Sequence, residues 1–534
     1  MTNPFLRAAS IALLLTIGLG AAMAQETKVR VKVKADLAAP PDRELGLSKM
    51  AYGDPGSIVA LKTRGGRMAL GGLTEQELGW NLYVIASDKM NEIKHDRPRF
   101  VWGIGAVALE TIETFNKQFR VILSKPDREK SRLLLLQQEL SPRSLTGRAA
   151  ALITSIPYDL LGKAPEYFKE GMTVGFTTVL AQDGQHMLIS LTPATTTHSA
   201  GSPILGVMVD KQMNPLWTNR LHPEAGNVRT DVVNTMVDGQ GVAWYLVRNV
   251  TDADPKTKDV VGYSYSVYRM DSTGQKGFPL DLGKKDFVQD AAMAFMPNGA
   301  LACAGIYSNP DANRDESVGV FYTVLNAAED KWTSAARTPF NKRTVDKVER
   351  LQNNMRVERI WPKTDGGLYV VCERSGVETH MVSNLSGQKV AKTEWVNGAF
   401  HALALDGSGQ VKWYTEVPRE MSYTNDGPGK AFSVSFADVL FLFYNDDARN
   451  IELRKKKQPV DPVDKPKDAL MLEFKNDGSY KEKAVLSEGL TRGYFDADAL
   501  WLMGNGLIGL EGAPDFKKDR TFPVLIDMTE GSGR

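Results

Sequence analysis

The chain has 534 residues, 42% of them hydrophobic and 24% charged, with 65 Lys plus Arg against 64 Asp plus Glu. That balance excludes a general electrostatic attraction to nucleic acid or to an anionic membrane surface. The length allows several ordinary domains or one large repeat array.

Residues 1–24 have the layout of a secretory signal peptide. Arg7 is the positive charge, 8–19 are an apolar run, and Ala22-Met23-Ala24 is a small-residue cleavage site that would leave Gln25 first. The apolar run is short for a membrane span. No Cys follows it, and no later stretch is apolar for long enough to cross a bilayer. The expectation is a secreted protein, periplasmic or extracellular, with no transmembrane span after cleavage. Next comes an N-terminal segment, 25–50, in which TKVRVKVKADL (27–37) alternates charge with Val. It is a candidate outer strand for the last unit of a ring, whose own third strand would be FPVLIDM (522–528).

From residue 51 one phrase recurs: an apolar strand, a tight Asp-Gly or Asn-Gly turn, and a very apolar second strand. TTVLAQDGQHMLISL (177–191), VVNTMVDGQGVAWYLV (232–247), AFMPNGALACAGIY (294–307), RIWPKTDGGLYVVCE (359–373) and LWLMGNGLIGLEG (500–512) carry it, and VALKTRGGRMALGGL (59–73) is looser. A second hairpin follows in several units, as in HALALDGSGQVKWYTEV (401–417). The turn glycines Gly184, Gly239, Gly299 and Gly366 are 55, 60 and 67 residues apart. The intervals Gly66 to Gly184 and Gly366 to Gly506 are 118 and 140, about two units each. TIETFNKQFRVIL (111–123) and FSVSFADVLFLFYND (432–446) fill those gaps. The count is about eight units of four strands.

Four antiparallel strands per unit with little helix between units argue for an all-β ring of blades, because one small sheet cannot bury both its faces alone. LAQDGQHMLISL resembles the strand–DG–strand phrase of TolB-like and WD40-like blades, although the Trp-Asp ending of WD40 repeats is absent. The resemblance implies a single β-propeller of seven to eight blades over 51–534. Residues 141–170 break the pattern, and their Ala/Leu/Ile run predicts a short helix and an irregular insert. Cys303 and Cys372 fall in predicted strands of neighbouring units. They read as two buried free thiols, with a disulfide as the alternative that export would permit.

The second-to-third strand loops, predicted at 74–80, 192–202, 249–259, 309–317, 374–400, 445–468 and 513–520, are longer and more polar than the turns on the other face. The 374–400 stretch is expected to form its own hairpin near Ser386 and Gly387. Elaborate loops on a rigid scaffold are where binding resides. The binding-face candidates are Asp252, Asp254, Asp311, Asn313, Asp315, Asp446, Asp447 and the basic run Arg454, Lys455, Lys456 and Lys457. Asp311, Asn313 and Asp315 have the alternate spacing of a calcium loop. However, Glu316 stands where an EF-hand needs Gly, and Tyr322 where it needs Glu. Asx turns account for such residues equally well.

Local enzyme motifs are absent: there is no H-E-x-x-H, C-x-x-C or P-loop. Thr197-His198-Ser199-Ala200-Gly201 is a partial nucleophile elbow, but a strand follows where a helix is required. Trp217, Trp332 and Trp413 follow third-strand turns and read as blade-to-blade packing. The expected function is a non-enzymatic scaffold that binds a protein or envelope component through its long loops and needs no cofactor. The alternative is a hydrolase or lyase acting on a glycan at the channel mouth, with a bound metal.

Overall fold

The computed structural model describes residues 28–531 apart from segments 36–44, 54, 65–79, 104–106, 162–173, 194–203, 223–228, 254–259, 284–285, 310–316, 327–328, 334, 341–354, 384–387, 424–429, 465–466, 487–492, 505 and 514–521. The signal peptide, Asp254, Asp311, Asn313, Asp315 and the 197–201 motif lie outside the described residues. Eight antiparallel sheets follow one another along the chain, each running from an inner strand outward. Blade 1 comprises Leu45–Tyr52, Ser57–Arg64, Trp80–Ala86 and Glu92–Asp96. The inner strands of blades 2 to 8 are Ala108–Phe115, Val174–Leu180, Arg229–Val237, Phe287–Phe295, Met355–Pro362, Phe432–Phe436 and Tyr494–Gly504. Blade 1 begins at Leu45 rather than at residue 51.

The core shows why a ring is required. Among the described residues, eight large buried apolar clusters each lie between two adjacent blades. Period-2 alternation along a second strand sends successive side chains to opposite neighbours. In blade 1, Val59 and Leu61 pack toward blade 2 while Ile58 and Ala60 pack toward blade 8. A strand buried on both faces has to be apolar throughout. The second strand of blade 5, Leu301–Ser308, is accordingly buried at every residue.

The same alternation settles the cysteines. Cys303 belongs to the cluster between blades 4 and 5, and Cys372 to the one between blades 5 and 6. The sheet of blade 5 stands between them, so they cannot bridge, and both are free. Burial pushes both thiols well above their usual range.

The ring closes as the alternating N-terminal segment predicts. Val29–Ala35 pairs antiparallel with Phe522–Glu530, from Val29 opposite Glu530 to Ala35 opposite Val524. Its Val side chains pack on the blade 7–blade 8 cluster, while Arg30 and Lys32 are exposed.

The expected helical insert at 141–170 is corrected over 141–161, the rest lying outside the described residues. Ala151–Pro157 is the outer strand of blade 2, paired with Arg132–Glu139, and a single 3-10 turn, Tyr158–Leu161, follows. The apolar run that suggested a helix contains Ile153, Thr154 and Ile156. Ile153 and Ile156 fill the cluster between blades 2 and 3. β-Branched residues favour the strand once a sheet edge is there to pair with.

The turn glycines Gly184, Gly299, Gly366 and Gly506 adopt φ of 65°, 81°, 83° and 74°. In blade 4 it is Gly241 (φ 74°), not Gly239, that does so. The tryptophans sit on blade interfaces. Trp217 Nε1 donates to Gly241 O of blade 4 (2.9 Å), and Trp332 Nε1 to Phe278 O of the same blade (3.4 Å). Trp413 stacks on Phe474 of blade 7 with ring centres 5.9 Å apart.

Candidate functional site

An up-and-down sheet puts its second-to-third connection and its link to the next blade on one face of the ring. On that face, blades 4, 6 and 7 carry large additions. In blade 4 the strands Ala243–Ala253 and Val260–Asp271 run past the blade, so much of the predicted 249–259 loop is ladder. Asp252 is exposed there, opposite Gly262.

In blade 6, Leu368–Ser383 and Lys389–Leu405 pair as far as Ser383 opposite Lys389, with one register shift between Glu373 and Ser375. The inner strand stops pairing at Arg374 and the outer strand at Phe400. Residues 375–383 therefore leave the blade as a two-stranded arm of about 30 Å, taking a rise of about 3.3 Å per residue. The predicted hairpin near Ser386 is the tip of this arm, though its turn residues lie outside the described set. Met381 and Val382 near the tip are 63% and 37% exposed.

The arm has a fixed root. Met421–Tyr423 pairs with Trp395, Val396 and Asn397 as a short third strand, and Trp395 packs on Met421 and Val463. Beneath it, Arg419 is fully buried between the rings of Phe400 and Tyr444. Its Nη1 donates to Glu373 Oε1 at 2.8 Å, and Asn397 Nδ2 donates to the same oxygen at 2.8 Å. Burial pushes the Glu373 carboxyl up to about 7 against the opposing pull of Arg419 and Asn397. No local pattern marked Glu373, Asn397 or Arg419, because their partners are 24 and 46 residues apart.

Blade 7 corrects the expected basic loop. Residues 445–468 contain a short helix, Arg449–Lys455, started by the Asp447 carboxylate, which accepts from Arg449 N at 3.0 Å. Asp447 also pairs with Arg449 (2.7 Å) and Lys467 (3.0 Å), and these contacts, the Arg449 bond first, hold it below the usual carboxylate range. Arg454 does not join a solvated cluster. Its side chain is 1% exposed, with Nη1 on Asp446 Oδ2 (2.7 Å), Nη2 on Glu482 Oε1 (2.6 Å) and Nη1 also on Pro418 O (3.0 Å). Asp446, expected as a surface oxygen ligand, is fully buried, and Asn450 Nδ2 occupies its other oxygen at 2.8 Å. Only Lys455, Lys456 and Lys457 of the basic run are exposed, and Lys455 pairs with Glu452.

Around the channel, polar side chains latch one blade to the next. Inner-strand N–H groups donate across blade boundaries: Leu47 N to Glu511 Oε1 (3.3 Å), Val357 N to Asp290 Oδ2 (2.8 Å), Ser433 N to Glu358 Oε2 (3.2 Å) and Phe495 N to Asn445 Oδ1 (2.8 Å). These donors would otherwise be buried beside a sheet edge with no strand to pair. The Asp290 and Glu358 carboxyls are both raised by burial. Several inner strands carry a one-residue register shift here, as at Ser48, Glu110, Val233, Gln289 and Glu358. At the channel mouth of blades 4 and 5, Arg248 pairs with Asp231 (2.8 Å) and lies over Tyr263 (5.8 Å), whose hydroxyl donates to Gln289 O (3.1 Å). Among the described residues no group of three or more His, Cys, Asp or Glu is placed to hold a metal ion. No helix among them is long and apolar enough to cross a membrane.

His401, in the third strand of blade 6, gives this region a pH response. It is buried, 2.7 Å from the Tyr414 hydroxyl through Nδ1, and burial lowers it from 6.5 to about 3. The unfolded chain takes up this proton below pH 6.5 and the folded chain does not, so stability is lost as pH falls from 6.5 toward 3. His401→Gln should remove about 2 kcal/mol of the loss between pH 6.5 and 5, at about 1.4 kcal/mol per pH unit. Denaturation midpoints of the two proteins across that range would check it. Parallel pH profiles would show that the imidazole is not excluded from its proton. Glu373, raised in the fold, acts with the opposite slope: its contribution is present below 4.5 and is lost as pH rises through about 7.

No family model matches the chain, and no curated protein does. Among solved structures it is similar to a quinohemoprotein alcohol dehydrogenase from Comamonas testosteroni, at 11% identity and TM-score 0.41 over 91% of this chain and 76% of that one. It is similar to the polysaccharide lyase Uly1, at 8% identity and TM-score 0.40 over 82% and 92%. It is also similar to BamB from Moraxella catarrhalis, at 8% identity and TM-score 0.34 over 94% and 99%. These proteins differ in activity, and what places this chain among the β-propellers is its own ring of eight four-stranded sheets.

Proposed function

We propose that the chain is an exported, non-enzymatic β-propeller that binds a protein or envelope component through the face built up on blades 4, 6 and 7. The observation that carries this reading is the blade 6 arm. An isolated two-stranded ribbon is marginal in water, yet this one is anchored by a buried Arg419–Glu373–Asn397 cluster and a third strand at its root. Exposed Met381 and Val382 near the tip supply the apolar contact a partner would cover. The opposite face is mostly closed by tight turns.

The test replaces residues 378–394 with Asn-Gly, so that Val377 and Trp395 flank a two-residue turn and the root is kept. The full chain and this variant would be incubated with envelope extract from the protein's source. An unchanged thermal midpoint with at least tenfold less captured partner is the expected result. Equal capture by both proteins would rule the arm out as the contact.

A second reading, a hydrolase or lyase acting on a glycan, is favoured by the Arg248–Asp231–Tyr263 group at the channel mouth. It is weaker because the inner-strand carboxyls Asp290 and Glu358 are already committed to backbone N–H groups of the next blade.

A further inference from the structure

Blade 2 departs from its neighbours on the tight-turn face. Its turn between inner and second strands has Asn116 and Lys117 at φ 50° and 61°, as blade 7 has Ala437 and Asp438 at 50° and 59°, where blades 3, 5, 6 and 8 place a glycine at positive φ. Asn tolerates that conformation, but a lysine there is strained. In blade 2 this turn puts a cation at one particular place.

That place is the rim of a cleft. The connection after the third strand of blade 2 folds back on itself: Ser141 N donates to Thr146 O (2.8 Å), Leu145 N donates to Ser141 O (2.8 Å), and Leu140 bridges to Gly147. Leu145 is buried and anchors the fold-back. A β-carbon at residue 147 would lie 1.9 Å from Glu139 O, so this close approach requires glycine. With Gly53 from the blade 1 turn, the two turns enclose about 310 Å³, lined by Lys117, Phe119, Glu139, Leu140, Pro142 and Arg148 among others. That is the size of a small-molecule site.

The lining carries two cations and one acid. Lys117 and Arg148 are exposed and make no ion pair among the described residues. Glu139, the one acid in the lining, stands opposite the buried Arg120 in the ladder, whose guanidinium donates to Gln137 and Gln118. Pro142 adds a small apolar patch, while Phe119 and Leu140 are buried behind the lining.

We propose that this cleft binds a small organic anion of about monosaccharide size, with Lys117 and Arg148 on its carboxylate or phosphate group. The site lies on the face opposite the arm and does not depend on the arm's role.

Calorimetric titration of the full chain at low salt with glucuronate, glucose 6-phosphate and glucose tests it. Binding of at least one anion, at least tenfold tighter than glucose and weakened by salt, is expected; whichever anion binds identifies the group. Lys117→Gly should raise the thermal midpoint, since it relieves the turn, while weakening the anion tenfold or more. Arg148→Ala should weaken it to a similar degree with the midpoint unchanged. No anion binding, equal binding of glucose, or unchanged binding in both variants would overturn the site.

Discussion

Arg454→Met should lower the stability of the propeller by about 3–5 kcal/mol, the range found when one partner of a buried ion pair is removed. The guanidinium neutralises two carboxylates at once, Asp446 and Glu482, and the side chains of all three are 3% exposed or less. Methionine fills much of the same volume, so the loss would come from the acids left behind rather than from a cavity. Tyr444 adds to the stake, because its hydroxyl donates to Glu482 and its ring lies 5.7 Å from the guanidinium. Adding Asp446→Asn and Glu482→Gln to the Arg454→Met background should recover a large part of the loss. The neighbouring Lys455→Met should cost under about 0.5 kcal/mol, since the Lys455–Glu452 pair is exposed. Chemical denaturation of the four proteins separates the cases. If Arg454→Met and Lys455→Met lose equally little, the buried network does not hold the blade 7 loop.

The contrast between these adjacent residues shows where the sequence could be read and where it could not. Strand–turn–strand phrases are local, so the ring, the number of units and the closing strand were legible from alternation and turn chemistry; in blade 1 the phrase was placed one strand late, since Ser57–Arg64 is already the second strand. The arm was legible too, because a Ser-Gly turn between two alternating runs is a local signal. Arg454 was not, because a run of four basic residues reads as a solvated loop. What buries the first of them is a carboxylate 8 residues upstream and another 28 residues downstream on the outer strand. Asp446 and Asp447 were misread for the same reason: paired acids look like surface ligands until a helix folds back over them. The outer strand of blade 2 was misread because AALITSIP has no period that separates a short strand from a short helix. Only the edge it pairs with decides. The candidate site thus follows non-local partners, whereas the scaffold follows local ones.

Deleting residues 28–35 should be the most damaging small change to the ring, at a cost on the order of 5 kcal/mol from lost apolar burial and a lost ladder. Val29, Val31, Val33 and Ala35 pack on the cluster shared by blades 7 and 8, and seven residue pairs tie the strand to Phe522–Glu530. Lys34 adds a link in a third direction: its Nζ donates to Asp527 (3.2 Å) of blade 8 and to Ser87 O (3.0 Å) of blade 1. Without the strand, the Phe522–Glu530 edge, five of whose first six residues are apolar, is left unpaired and becomes a template for pairing between copies. The expected result is a large drop in thermal midpoint together with concentration-dependent aggregation. Val31→Asp with Val33→Asp should reproduce part of the drop. Lys32→Thr, on the exposed face, should change neither property. A synthetic peptide of residues 28–35 added in trans should restore part of the midpoint, because the seam is held by burial and hydrogen bonds and its two strands lie some 490 residues apart along the chain. A truncated chain that stays monomeric at the wild-type midpoint would mean that the inter-blade clusters and latches close the ring by themselves.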